Sequence, residues 1–330
     1  MKKALFHLCK IVGVCWAVWL LWRTLTRDGL DWTTALHNLR WGYLFLAFCI
    51  YGGVQLLGAW RWGIFLSLQG TQTGFWARLR VILYTGALNL MIWGGVGGDV
   101  LRVMLLFPGQ PAERRLPLAM TVVLDRFMGV ASLCIIASLT LLGLRFSPTT
   151  SHLFLENHSF LLLLYGVCGF TAFLLLLMVV TRFLKEDNSA ASDVEGGVLL
   201  RQWRKFREVM ANLWRHPCGS LHALALSFLI HLLLGCAYCC LGRGFGEENI
   251  SLFQYIALAQ LSNATAAIPL TPGGIGLRDF VAYLFLTVFQ AQPASVCNLI
   301  PIAYTVILLL WGIASILFLR MDTKLAQNDQ

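Results

Sequence analysis

Charge is what this chain has least of: only 12% of its 330 residues are Asp, Glu, Lys or Arg, against about 25% in a soluble domain. A soluble globular fold is thereby excluded. Several signatures of soluble chemistry are missing as well. No G-x-x-x-x-G-K-[S/T] loop for a nucleoside triphosphate occurs, and no D-x-D, H-E-x-x-H or G-x-S-x-G. The ten cysteines are mostly scattered singly through apolar stretches, where a thiol acts as a small hydrophobe, so no disulfide framework is expected. Cys236 and Cys239 have metal or redox spacing but no second ligand pair and no βαβ context. His222 and His231 lack a carboxylate at ligand spacing. Neither a metal nor a cofactor is expected.

What is there is apolar length. Hydrophobic residues make up 58% of the chain and the mean hydropathy is +0.71. Six runs, at 11–26, 41–60, 117–144, 160–181, 221–241 and 297–319, approach or exceed the roughly 20 residues that cross a bilayer as a helix. They are apolar on every face, which a β-barrel strand is not. The expected fold is an all-α polytopic bundle forming a single membrane domain over 1–330. Lys2, Lys3 and Lys10 precede the first run, but Trp22, Arg23 and Thr24 follow it where a signal peptide would need small residues, so it reads as an uncleaved span.

Two further segments are apolar but broken. Residues 81–107 are interrupted by Gly94-Gly95-Val96-Gly97-Gly98-Asp99, and residues 253–290 by Pro269-Leu270-Thr271-Pro272-Gly273-Gly274-Ile275-Gly276. Non-helical backbone at membrane depth is tolerated where protein or a wet cavity surrounds it. Read as re-entrant hairpins, these segments leave 17 Lys and Arg in cytoplasmic stretches and five outside. Both termini then lie in the cytoplasm, as the positive-inside rule requires. Crossing segments also put both termini inside, but move Arg78 and Arg80 outside. The breaks share a pattern: Asn89 or Asn263 upstream, a glycine run, then Asp99 and Arg102 or Arg278 and Asp279. Span, break, span occurs at 41–144 and again at 221–319 in opposite sense, as in an inverted-topology repeat. The basic excess sits in loops such as 182–216, where it meets headgroups, so nucleic acid is not an expected partner.

Arg102, Arg126 and Arg278 fall within apolar segments, each with a carboxylate close in sequence: Asp99, Asp125 and Asp279. An intramembrane charge costs about 2.5–3.5 kcal/mol on insertion scales, so three such pairs mark a polar interior. In one reading, each break opens a half-helix whose amides and positive end face an anion. Asp99 would cap a helix opening at Val100, and Thr271 one with Pro272 at its first position. Gly97, Gly98, Gly273, Gly274 and Gly276 would let a phosphate approach, with Arg102, Arg126 and Arg278 clamping it. In the other reading the charges pair across helices and the glycines are packing positions. Trp60-Arg61-Trp62 reads as an interfacial belt.

At Arg61-Trp62, Gly97-Gly98-Asp99-Val100-Leu101-Arg102, Asp125-Arg126-Phe127-Met128-Gly129 and Pro272-Gly273-Gly274-Ile275-Gly276-Leu277-Arg278-Asp279, the chain resembles the lysylphosphatidylglycerol synthase transmembrane-region, or flippase-like, family. That family often has Glu where this chain has Asp125 and Asp279, a change that keeps the charge and shortens its reach. Its synthases carry a soluble aminoacyltransferase domain after the membrane region, whereas this sequence ends at Gln330. The resemblance therefore implies a translocator of an anionic or aminoacylated lipid in the cytoplasmic membrane rather than an enzyme. The competing readings are a partner subunit of a lipid-modifying enzyme, docking through the basic 201–215 segment, and a membrane transferase using loop groups such as Glu156, His158, Glu247 and Glu248. Homo-oligomerisation is compatible with all three.

Overall fold

A computed structural model describes residues 39–91, 96–105, 111–156, 158–183, 210–211, 213–266 and 272–328. Every regular element among them is helical: α1 Trp41–Leu68, α2 Phe75–Met91, α3 Val96–Met104, α4 Ala112–Phe146, α5 Ser151–Glu156, α6 His158–Phe183, α7 Pro217–Gly244, α8 Leu252–Ala266, a 3-10 turn at Pro272–Gly274, α9 Leu277–Val288 and α10 Val296–Asn328. Five of these, α1, α4, α6, α7 and α10, contain stretches long and apolar enough to span a membrane. They coincide with five of the six apolar runs. The first run, most of the 182–216 loop and most of the basic 201–215 segment lie outside the described residues.

The helices belong to two compact units. The first takes in residues 1–59, 76–105 and 229–330, and the second 60–75 and 106–228. In the second, α4 and α6 pack side by side. Their buried contact includes Ser138 and Thr171 hydroxyls 2.9 Å apart, and Thr171 Oγ1 also donates to the Cys134 carbonyl at 3.1 Å. Hydroxyls on apolar helices satisfy one another in this way because no water is present to do so. Phe65, Leu124, Met128, Met210, Leu213 and Ala223 form an apolar core nearby.

In the first unit, small residues set the spacing. A methyl group on Gly235 of α7 would lie 2.8 Å from Ile256 Cα, and one on Gly242 would overlap the Tyr255 ring. Seven residues apart, these glycines lie on nearly the same face of α7 and let α8 sit directly on its backbone. α8 in turn packs on α9, and α9 on α10. The loop joining α7 to α8 is organised by Glu247, which is fully buried. It accepts from the amides of Asn249 and Ile250 and from the Tyr255 hydroxyl at 2.6–2.7 Å. Glu248 pairs with Arg40 at the surface at 2.9 Å.

Candidate functional site

Both broken segments are pairs of short helices. At 1.5 Å per residue, α2 and α3 reach roughly 26 and 14 Å, and α8 and α9 roughly 23 and 18 Å. Each is shorter than the roughly 30 Å hydrocarbon core.

The first break differs in register from the sequence expectation. α3 begins at Val96, not Val100, and Asp99 lies in its first turn. Gly97 and Gly98 are therefore helical. The reason is close packing: a methyl on Gly98 would overlap the Asn89 side chain and lie 2.5 Å from the Thr85 carbonyl. α3 thus rests on α2, and the Gly98 amide donates to Asn89 Oδ1 at 2.8 Å. Arg102, three positions after Asp99, is buried at 5% exposure.

The second break also departs from expectation. Thr271 lies outside the described residues, and Pro272 opens a 3-10 turn rather than α9. Gly273, Gly274 and Gly276 have φ of 56°, 76° and 85°, which a helix cannot continue through. Gly274 adds a close approach, since its Cβ would stand 2.5 Å from that of Ala266 at the end of α8. α9 consequently starts at Leu277 with Gly276 as its N-cap. The Gly276 amide donates to Asp279 Oδ2 at 3.0 Å. A carboxylate of the chain itself thus sits at the positive end of the half-helix.

Around Asp279 the interior is densely polar. Arg278 Nε and Nη2 both donate to Asp279 Oδ1, at 3.1 and 2.8 Å. Arg278 Nη2 also donates to Thr305 Oγ1, whose hydroxyl is 2.9 Å from each Asp279 oxygen. The guanidinium lies 4.8 Å from the centre of the Tyr304 ring, a cation–π position. Tyr238 stacks on Tyr304 with ring centres 4.3 Å apart, and Tyr51 meets Tyr304 edge-on at 6.3 Å. Arg278 and Asp279 are only 2% and 3% exposed.

Asp125 and Arg126 belong to the second unit. Asp125 is buried and pairs with Arg61, whose Nε lies 2.8 Å from Oδ1; Arg61 Nη1 donates to Ser227 at 2.9 Å. Gly129, one turn after Asp125, leaves room for the guanidinium, its Cβ position being 3.6 Å from Nη1. Arg126 faces outward on the same helix. Arg61 is the residue that sequence reasoning misses. Read as part of a belt, it is instead an interior cation, and beside it Trp62 is fully buried with its indole donating to Thr121 at 3.2 Å. Only Trp60 of that trio is exposed. The apolar Ile64-Phe65-Leu66 that follows is the available signal.

Other singled-out groups are structurally occupied. Glu247 is held in its loop, His231 is buried with its carbonyl accepting from Gln260 Nε2 at 3.0 Å, and the ring of His222 lies 6.1 Å from that of Trp60. Cys236 and Cys239 are free thiols, and among the described residues no cluster of His, Cys, Asp or Glu could hold a metal ion.

No curated protein and no solved structure matches the chain. The family description "Lysylphosphatidylglycerol synthase TM region" matches residues 10–312, which include both broken segments and the Arg278–Asp279 and Arg61–Asp125 pairs. This multi-pass membrane chain belongs to the lysylphosphatidylglycerol synthase transmembrane-region family.

Proposed function

We propose that the protein translocates an anionic or aminoacylated phospholipid, or a related lipid-linked headgroup, across the cytoplasmic membrane. The observation that carries this reading is the Arg278–Asp279–Thr305 cluster, a paired charge buried at the start of a half-helix inside a membrane bundle. Asp279 holds the position that a phosphate would take: it meets the guanidinium and a helix N-terminal amide together. A headgroup phosphate entering the cluster exchanges with this carboxylate, accepting from Arg278 while Asp279 turns away. On release the carboxylate returns, so the guanidinium is never left bare in low dielectric. Arg102 and the Gly98 region form the corresponding element of the first break, and Arg126 offers an outward-facing cation on the second unit. Gly98 and Gly274 seat the short helices against α2 and α8, and Gly273 and Gly276 turn the chain into α9 beside the cluster. Two hairpins related as inverted repeats would rock to expose the site to each leaflet in turn, with both chain termini in the cytoplasm.

The test is movement of fluorescent phosphatidylglycerol and lysyl-phosphatidylglycerol between leaflets of proteoliposomes. Wild type should move one or both, Arg126→Ala should fail while staying folded, Arg278→Ala should fail with a lowered unfolding midpoint because it strands Asp279, and Arg278→Lys, which keeps the pair's charge, should stay folded and retain part of the rate. Absence of movement in wild type, with and without a proton gradient, would overturn the translocator reading.

A further inference from the structure

Beside the polar cluster, the first unit contains an apolar cleft of about 570 Å3 between α1, α2 and α10. That is within the roughly 300–1,000 Å3 of ligand pockets. Its walls include Phe48, Leu79 and Leu83, and its rim includes Phe45, Leu56 and Trp76, which are 69%, 45% and 65% exposed. α1 and α10 are spanning helices, so an exposed apolar rim on them opens toward hydrocarbon rather than water. The back wall is Trp311, fixed on three sides. It stacks on Phe48 at 5.0 Å, donates its indole N–H to the Phe48 carbonyl at 3.0 Å, and lies so close to Gly52 that any side chain there would overlap it. Gly53, one position on, has nothing within 4 Å of where its Cβ would be. One glycine seats the wall and the next leaves the space open.

The inner end of the cleft changes character. Gln55, Leu83, Trp311 and Ser315 are shared with a recess of about 40 Å3 that Tyr51 also lines. Tyr51 meets the edge of Tyr304, and Tyr304 carries the Arg278 guanidinium on its face. An apolar slot open to the bilayer therefore leads through amide, hydroxyl and phenol groups toward the buried cation. The order matches an amphiphile lying with its chain outward and its polar end inward.

We propose that this cleft takes one hydrocarbon chain of the transported lipid, seating it between α1, α2 and α10 with its polar end at Gln55, Tyr51 and Ser315. The inference rests on the translocator reading for the identity of the lipid, but the occupancy of the cleft is separately measurable. The experiment uses the full chain in vesicles containing phosphatidylglycerol with a diazirine in its acyl chain, and maps the photo-adducts by mass spectrometry. Adducts should concentrate on α1 and α10 around Gly53 and Trp311. Gly53→Phe, which fills the open space, should lower them several-fold and slow lipid movement. Gly169→Phe, the same change at a second uncrowded glycine, on α6, should alter neither.

Adducts spread evenly over every bilayer-facing helix of wild type, with lipid movement untouched by Gly53→Phe, would overturn the cleft and leave the translocator reading standing. Concentrated adducts that Gly53→Phe removes, in a protein that moves no lipid, would retain the cleft and remove the translocator reading. Cross-linking from Cys49, an exposed thiol on the cleft wall, into a second copy or into residues 1–38 in place of lipid adducts would assign the cleft to protein and also overturn the proposal. Adduct mapping on wild type needs no variant to fold.

Discussion

At the scale of single residues, the Arg278–Asp279 and Arg61–Asp125 ion pairs are the most consequential features among the described residues. Each charge is costly in the membrane interior and tolerable only with its partner. Removing one member of a buried pair strands the other and costs about 3–5 kcal/mol, whereas replacing both by apolar groups is often neutral. Asp279→Asn and Arg61→Met are therefore expected to be strongly destabilising. The doubles Arg278→Met/Asp279→Leu and Arg61→Met/Asp125→Leu should recover much of the loss. Unfolding midpoints in detergent check both sets of variants, and a double that loses as much as its two singles combined would show that the charges do not depend on each other. Recovery of stability without recovery of lipid movement in the Arg278 double would separate the structural role of that pair from the transport role proposed for it. The tyrosine at 255 belongs with these residues. Its hydroxyl is 2.7 Å from buried Glu247, and Tyr255→Phe leaves that carboxylate oxygen short of a donor, at about 1–3 kcal/mol.

At the scale of elements, the glycine runs divide into positions fixed by conformation and positions fixed by contact. Gly274 is both, with φ of 76° and Ala266 directly beneath it. Gly274→Ala should lower the unfolding midpoint by the equivalent of about 1–3 kcal/mol, and pairing it with Ala266→Gly should return only the contact part. How far the sequence can be read is clearest at this scale. Five spans are legible because apolar length is set by bilayer thickness and little else imitates it. The breaks are legible from Gly and Pro, but their register is not. α3 starts four residues early because Gly98 fits against Thr85 and Asn89, a tertiary contact with no local sequence signal. α9 starts late because three glycines take positive φ, where a Pro at 272 alone suggests a helix start. Arg278 and Asp279 are legible as a pair because they are adjacent. Proximity along the chain points Asp125 to Arg126 and gives no sign of its ion pair with Arg61, 64 positions away.

At the scale of the whole molecule, the distribution of basic residues predicts an orientation that can be measured. On a background without native cysteines, Ser189→Cys in the 182–216 loop should react with an impermeant maleimide only after the membrane is opened. Glu248→Cys, between α7 and α8, should react from outside in intact cells. The reverse pattern would invert the topology, and reaction of both from one side would remove a crossing between them. The helical spans and the family membership are independent of that outcome.

The pairing of Arg278 with Asp279 bears on energetics at this same scale. A unit charge carried through a membrane potential exchanges about 2.3 kcal/mol per 100 mV, yet a guanidinium and a carboxylate 2.8 Å apart form a short dipole with no net charge. The resting cluster therefore offers the membrane potential no net charge, and under the proposed translocation the voltage dependence at this cluster would come from the charge of the headgroup.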